Sequence, residues 1–387
     1  MKSICITLLT TMFLSAGMAV AAPQEIRVGS VISLTGGNAR GGTGMHEGML
    51  TAVDIFNKQQ SKYAIRLITV DDESAPAKAI AAVARLASQK VVAITGGATS
   101  DLVAPASSAA NKVGLVYITS GGTSEEFVNQ GYRKFFRINN TNGYVKAMTG
   151  MFIDLKVKRL AVVYSTQKST FELARDVNKI MSERGVVVTM HPFDPAIRDF
   201  KPIINKVKLL DKPDVINMLG YENDYVGLLR AARVLKPNVT ALVGVWQIAN
   251  AKMAREFPDL VKNISGTEML PYPVQFSDPE GQLFEASFKA LYQKSPDYLN
   301  EYGYVQSTIL FEAIARAADK GTLDRDGLAD EMRRTDRDTL IGRLNFLDNG
   351  DNPNFMPNIG QHQNGRVELV WPPAAATGQL VVPGVPW

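Results

Sequence analysis

From Ile26 onward, short β-rich runs alternate with longer stretches of helical periodicity, and this rhythm runs twice along the chain. The first series predicts strands over 26–32, 63–70, 91–95 and 115–119, with helices over 45–59, 77–87 and 101–113. On the first of these helices, Met49, Ala52, Val53 and Phe56 fall on one face, the spacing of a helix with one buried side. Pro76 stands at the start of the second, where its missing N–H costs nothing. After a break near 136–143 the rhythm restarts. It predicts strands over 160–164, 186–191, 215–219 and 241–245, and helices over 170–184, 200–210 and 224–235. Alternation of this kind implies parallel sheets covered by helices on both faces. Two series imply an α/β protein of two doubly wound lobes. Two further helical patterns, at 280–293 and 302–320, precede a Pro- and Gly-rich tail of weaker periodicity.

The N-terminus has a different character. Met1-Lys2-Ser3 is short and positive, residues 4–14 are mostly apolar, and residues 16–22 are small, with Ala19-Val20-Ala21 among them. This is the three-part pattern of a secretory signal peptide, with cleavage expected after Ala21 or Ala22. The apolar stretch falls short of the ~20 residues that a spanning helix needs. Cys5, the only cysteine, lies near the start of that stretch and is expected to leave with the leader. The mature chain is expected to be soluble, exported and periplasmic, and it contains no thiol. Lys and Arg total 42 against 38 Asp and Glu. This small excess forms no basic stripe, so nucleic acid is not an expected partner.

In doubly wound sheets a ligand sits outside the carboxyl ends of the strands, so the loops after the strands carry the information. These loops hold Gly, Ser, Thr, Tyr and Trp, and few candidates for a general acid or base. Gly42, Gly44 and Gly48 come near a dinucleotide fingerprint, but the last spacing is one residue too long. The segment 36–44 reads instead as a flexible turn that lets backbone approach a ligand. Thr99-Ser100-Asp101 can cap the helix that follows it, or can present a helix N-terminus to an anion. Ser120-Gly121-Gly122-Thr123 adds a second hydroxyl and free amides after the next strand, and two such loops would converge on one carboxylate. His46, His191 and His362 are not at metal-ligand spacing. Asp71-Asp72-Glu73 reads as a solvated turn capping a helix rather than a metal site. No serine-hydrolase elbow or phosphate-loop lysine motif occurs. No catalytic residue, metal or cofactor is expected.

Several ordered motifs carry a family resemblance. Ile26-Arg27-Val28-Gly29 followed by Leu34-Thr35-Gly36 resembles the opening of periplasmic leucine/isoleucine/valine-binding proteins. So do Asp71-Asp72, Pro105-Ala106-Ser107, Phe136-Arg137, Asp199-Phe200, Pro213-Asp214 and the run Leu229 to Arg233. The resemblance covers most of the mature chain. It implies the solute receptor of an ATP-driven importer, with two lobes joined by three hinge segments and a ligand cleft between them. By resemblance, Ser100 holds the ligand carboxylate. Gly121 and Thr123 bind the carboxylate and, through a backbone carbonyl, the ammonium. Tyr221 closes from the second lobe. Lobe boundaries follow: a signal peptide over 1–22, a first lobe over 23–139 plus about 268–343, and a second over 140–267 plus about 344–387. The implied partners are the membrane permease and ATPase subunits, and the receptor itself is expected to be a monomer.

Four positions depart from the family pattern. Trp246 stands where many members carry the acid that holds the ammonium, Gly41 where an aromatic is usual, and Ser169 where a tyrosine is common. Ser74 and Thr99 replace the cysteines of a first-lobe disulfide. A buried ammonium needs a charged partner or several hydrogen-bond partners, and tryptophan offers one N–H donor and a π face. Two ligand classes therefore stay open. One is an amino acid, branched-chain or other, with Glu222 or backbone carbonyls holding the ammonium. The other is a carboxylate without an α-amine, an aromatic one among the candidates by virtue of Trp246. The pocket is expected to combine Ser100, Gly121 and Thr123 with Ser169, Tyr221 and Trp246. A sensory ligand-binding module would use the same cleft, whereas an exported hydrolase lacks a nucleophile–base pair.

Overall fold

The structure is a computed structural model that describes residues 22–385 and Trp387; residues 1–21 of the expected leader, Cys5 among them, lie outside the described residues. Five strands, β1 (Gln24–Ile32), β2 (Tyr63–Asp71), β3 (Ala93–Gly96), β4 (Val116–Thr119) and β5 (Phe135–Arg137), form a parallel sheet in the order β2-β1-β3-β4-β5. Side chains alternate across it. Ile26, Val28 and Ile32 of β1 join the core under the helices Ala39–Gln59 and Tyr298–Asp319, whereas Val31 faces the helices Pro76–Ser88 and Ser100–Lys112. The sheet is thus covered on both faces, as an all-parallel sheet requires.

The second sheet repeats this order and then extends it. Strands β6 (Arg159–Ser165), β7 (Val187–Phe193), β8 (Val215–Leu219), β9 (Ala241–Gly244) and β10 (Ser265–Glu268) are parallel, in the order β10-β9-β8-β6-β7. A small hairpin of β11 (Asp336–Thr339) and β12 (Gly342–Asn345) stands apart from both sheets. The tail supplies β13 (Asn358–Gln363) and β14 (Arg366–Trp371), which add antiparallel strands beside β10. The second sheet is therefore mixed. The expected parallel-sheet lobes are present, and the tail adds an antiparallel edge to the second, where a two-residue turn at Asn364-Gly365, both at positive φ, folds the tail back on itself. The segment 36–44 also differs from expectation. The first helix begins at Ala39, so most of the glycine-rich stretch is helical. Asp71 and Asp72 act as local caps, accepting hydrogen bonds from Leu34, Thr35 and Ser33 and from the Glu73 and Ser74 amides.

The chain passes between the sheets three times: between Arg137 and Thr141, between Glu268 and Pro279, and between Asn345 and Asn358. After the second passage the helix Tyr298–Asp319 returns to pack along Ala39–Gln59. Two glycines make that approach possible. A Cβ on Gly48 would fall 1.9 Å from the Asn300 carbonyl oxygen, and one on Gly303 would fall 1.9 Å from that of Met45. The backbones touch there, and the contact sets the position of the N-terminal turn that carries Tyr298 and Tyr302. Gly303→Ala must push the helices apart, at a cost of about 1–3 kcal/mol. Thermal denaturation should show a melting point lowered by several degrees; an unchanged midpoint would mean that the helices do not touch in this way.

Candidate functional site

Both sheets point their carboxyl ends at one cleft. In each, the strand order reverses beside the first strand of the series, which is where doubly wound sheets place ligands. From the first sheet come the loops after β3 and β4. They meet at Gly121, where a Cβ would lie 2.2 Å from the Gly97 carbonyl oxygen, so only glycine permits the contact. From the second sheet come Ser169 in the first turn of Lys168–Glu183, Tyr221 as N-cap of Glu222–Leu235, and the loop Trp246-Gln247 after β9. Asp224 caps this helix start from within, its carboxylate accepting from the Tyr221 amide at 2.9 Å.

Gly121, Thr123, Ser169, Tyr221 and Trp246 line the cavity between these loops. Ser100 is buried just behind it. Its Oγ accepts hydrogen bonds from the amides of Thr123 (3.1 Å) and Ser124 (3.3 Å) and from the Ser169 hydroxyl (2.6 Å). Thr123 in turn donates its hydroxyl to Ser169 at 3.2 Å. Three hydroxyls thus form a chain across the cleft, and the Ser100 proton at its end has no acceptor among the described residues. The amides expected to be free are occupied, that of Gly121 by the Thr119 hydroxyl (2.9 Å) and that of Thr123 by Ser100. Hydroxyl protons, rather than these two amides, are the donors the cavity can offer an anion.

The opposite wall is aromatic. Trp246 stacks on Tyr221 with centroids 5.5 Å apart and receives the edge of Tyr144 at 5.7 Å. It sits at φ 54°, a left-handed conformation that costs a bulky residue on the order of 1 kcal/mol, with its amide held by the Thr267 hydroxyl at 2.9 Å. The tail helps hold this loop. His362 of β13 donates from Nε2 to the Ile248 carbonyl at 2.7 Å, and burial lowers its pKa to about 4, so the ring stays neutral. Tyr298 and Tyr302 from the first turn of Tyr298–Asp319, together with Asn139 from the first passage, complete the wall. Strand-end reasoning missed these three and Tyr144 because they lie on connections and a returning helix. The i, i+4 pair Tyr298 and Tyr302 was the available signal, since that spacing puts both phenols on one helix face.

No Asp or Glu lines the cavity. Glu222, weighed as an ammonium partner, turns to the rim instead, where it pairs with Arg40 from the opposite side of the cleft. Arg40 also binds Glu256 at 2.7 Å. This fork spans the cleft mouth. The free space inside is only about 40 Å³, whereas one water needs ~10–15 Å³ by the same measure. The two sides touch at this fork and at the Thr123–Ser169 hydrogen bond, so a solute must part them to enter.

Behind the aromatic wall lie Glu268 and Glu301, both buried, and the half-buried Asp297. Burial raises the pKa of each, with the Glu301 carboxyl adding to the effect on Glu268 and Asp297 adding to that on Glu301. A carboxyl raised in this way favours folding while protonated, and that contribution is lost as pH rises from the ordinary carboxylate range through the raised value. Glu268→Gln keeps the acceptor for the Met269 amide and removes the titration. Its stability relative to the natural protein should therefore increase between pH 5 and pH 8. Parallel melting curves with a constant difference at both pH values would contradict the assignment.

The comparisons with known proteins agree with this architecture. A family model described as periplasmic binding protein matches residues 25–358. The leucine-, isoleucine-, valine-, threonine- and alanine-binding protein of Pseudomonas aeruginosa is 25% identical over 354 residues, 88% of this chain and 93% of that protein. The leucine-specific-binding protein of Salmonella typhimurium is 24% identical, covering 89% and 93%. Among solved structures, a leucine-binding protein from Thermotoga maritima shares the fold with a TM-score of 0.81 at 24% identity, over 89% of this chain and 97% of that one. A solute-binding protein from R. palustris, in complex with benzoate, does so with a TM-score of 0.80 at 17% identity, over 92% and 97%. No helix among the described residues is long and apolar enough to cross a membrane. With its two doubly wound lobes and the cleft between them, and with the family model matching residues 25–358, this chain belongs to the periplasmic binding protein family, a family of solute receptors rather than enzymes.

Proposed function

We propose that this chain is the exported solute-binding component of an amino-acid-type ABC importer and captures a small carboxylate-bearing solute by hinge closure. The supporting observation is the hydroxyl chain of Thr123, Ser169 and Ser100, which joins the two sheets across the cleft and ends in an uncommitted donor. A carboxylate that takes this proton bonds to Ser100 of the first lobe, whose Oγ is itself held by the Ser169 hydroxyl of the second, so binding is coupled to closure through that bond. Tyr221 and Trp246 seal the other side. The lobes proposed are 23–139 plus 268–343 and 140–267 plus 344–387, following removal of the leader over 1–22. The closed receptor, a monomer in the periplasm, docks on the permease and ATPase subunits of the importer.

The names of the relatives favour an amino-acid ligand, branched-chain among them. A second reading, a carboxylate without an α-amine, is favoured by one observation: the cavity has an aromatic wall and no Asp or Glu, and Glu222 is committed to Arg40. An ammonium placed there would lack a countercharge.

Calorimetric titration with leucine, phenylalanine and benzoate separates these classes. Tight leucine binding without benzoate heat identifies the amino-acid class, and the converse identifies the amine-free one. Ser100→Ala combined with Thr123→Ala should weaken whichever ligand binds by tenfold or more, at least about 1.4 kcal/mol. A folded double variant with unchanged affinity would refute the hydroxyl assignment.

A further inference from the structure

Most buried polar side-chain atoms in a folded protein find a partner, so the cavity wall is notable for two that do not, Asn139 Oδ1 and the Tyr298 hydroxyl. Asn139, Tyr298 and the pair Tyr144 and Tyr302 all line the cavity and are all buried. Asn139 donates through Nδ2 to the Tyr144 hydroxyl at 3.1 Å, while its Oδ1 has no hydrogen-bond partner. Tyr298 packs edge-on against Tyr302, with centroids 5.6 Å apart, and its hydroxyl has no partner either. The hydroxyls of Tyr144 and Tyr302 lie 2.9 Å apart. One proton sits between them, so the other phenol proton of the pair has no acceptor among the described residues. These groups come from the first passage between sheets and from the helices Thr141–Asp154 and Tyr298–Asp319. None of them belongs to the hydroxyl chain of Ser100, Thr123 and Ser169.

The unmet needs are therefore one acceptor, Asn139 Oδ1, beside phenol donors. An ammonium can only donate and would leave the phenol protons unmet. A carbonyl or carboxylate can only accept and would leave Asn139 Oδ1 unmet. A hydroxyl does both. We infer that the solute bears a hydroxyl group in addition to its carboxylate, held by Asn139 together with Tyr298 and Tyr302. The inference rests on the carboxylate-receptor reading above and narrows its ligand class. It applies equally to a hydroxylated amino acid and to a hydroxylated aromatic acid, which the test tells apart. A site built to satisfy a hydroxyl rejects the analogue lacking it, because the site's own polar groups are then buried unpaired.

The test is calorimetry on matched pairs that differ by one hydroxyl: valine and threonine, phenylalanine and tyrosine, and benzoate with its three hydroxybenzoates. In at least one pair the hydroxylated member should bind tenfold or more tightly than its partner. Tyr298→Phe should reduce that preference to threefold or less while leaving the melting point of the ligand-free protein unchanged or higher, since the hydroxyl it removes has no partner to lose. Equal or weaker binding of the hydroxylated member in every pair that binds overturns the inference and leaves the carboxylate reading standing. So does tighter binding of 4-formylbenzoate, which offers only an acceptor, than of every hydroxybenzoate. A Tyr298→Phe variant that keeps the preference removes Tyr298 from the site. If neither leucine nor any member of a pair binds, the carboxylate reading fails and the hydroxyl inference falls with it, whereas leucine binding alone overturns the inference and leaves the carboxylate reading standing.

Discussion

The fully buried guanidinium of Arg137 ties the site to the passages between the lobes. Arg137 ends β5, the last strand before the chain leaves the first sheet. Its Nε donates to Asp351 at 2.7 Å, in the third passage. Its Nη1 donates to the carbonyls of Thr123 (2.8 Å) and Ser124 (2.7 Å), in the loop that reaches the cavity, and its Nη2 to both oxygens of Glu125. Asn140 and Asn352 reinforce the tie: Asn140 reaches Asp351 and the Asn352 carbonyl, and Asn352 reaches the Ile138 carbonyl. A buried charge is tolerated only when its hydrogen bonds are met, and breaking such a set by removing one partner costs ~3–5 kcal/mol. One side chain thus fixes the Thr123 loop relative to two of the three connections about which the lobes must turn.

Around this rigid centre the cleft is closed by weaker contacts. The rim fork of Arg40 with Glu222 and Glu256 is partly exposed on the Arg40 and Glu256 sides, and exposed ion pairs contribute ~1 kcal/mol or less. The hydroxyl chain between Ser100, Thr123 and Ser169 consists of neutral groups that water can also satisfy. Closure without a solute therefore has a small free-energy advantage, which suits a receptor that must open to load and again to unload. A bound carboxylate adds a hydrogen bond from the Ser100 hydroxyl, and a bond to an ionised acceptor is roughly twice as strong as a neutral one.

Much of the fold was legible because hydrophobic periodicity reports it directly. The strand at 215–219 coincides with β8, and most other bounds fall within a few residues of the observed ones. The tail strands were not legible: Asn358–Gln363 carries Gln361 and His362, whose burial depends on hydrogen bonds to the distant carbonyls of Asn263, Val381 and Ile248. The glycine-rich segment was read as a turn because glycine disfavours helix interiors. Contacts with Ser33 and with the helix Tyr298–Asp319, visible only in three dimensions, demand glycine there. At the site, strand-end logic reached five residues that line the cavity and Ser100 behind it. It could not reach Asn139, Tyr144, Tyr298 or Tyr302, whose positions depend on how the chain crosses between lobes. Nor could it show that Arg40 takes Glu222 away from the pocket.

The central claim is that one solute carboxylate joins the two lobes at the chain of Thr123, Ser169 and Ser100. A crystal structure of the protein with the solute that accompanies it through purification tests this most directly. The expected result is a carboxylate oxygen within hydrogen-bond distance of the Ser100 and Ser169 hydroxyls, with Tyr221 and Trp246 closed over the rest of the molecule. A solute whose carboxylate lies elsewhere in the cleft, or one that contacts a single lobe, would contradict it.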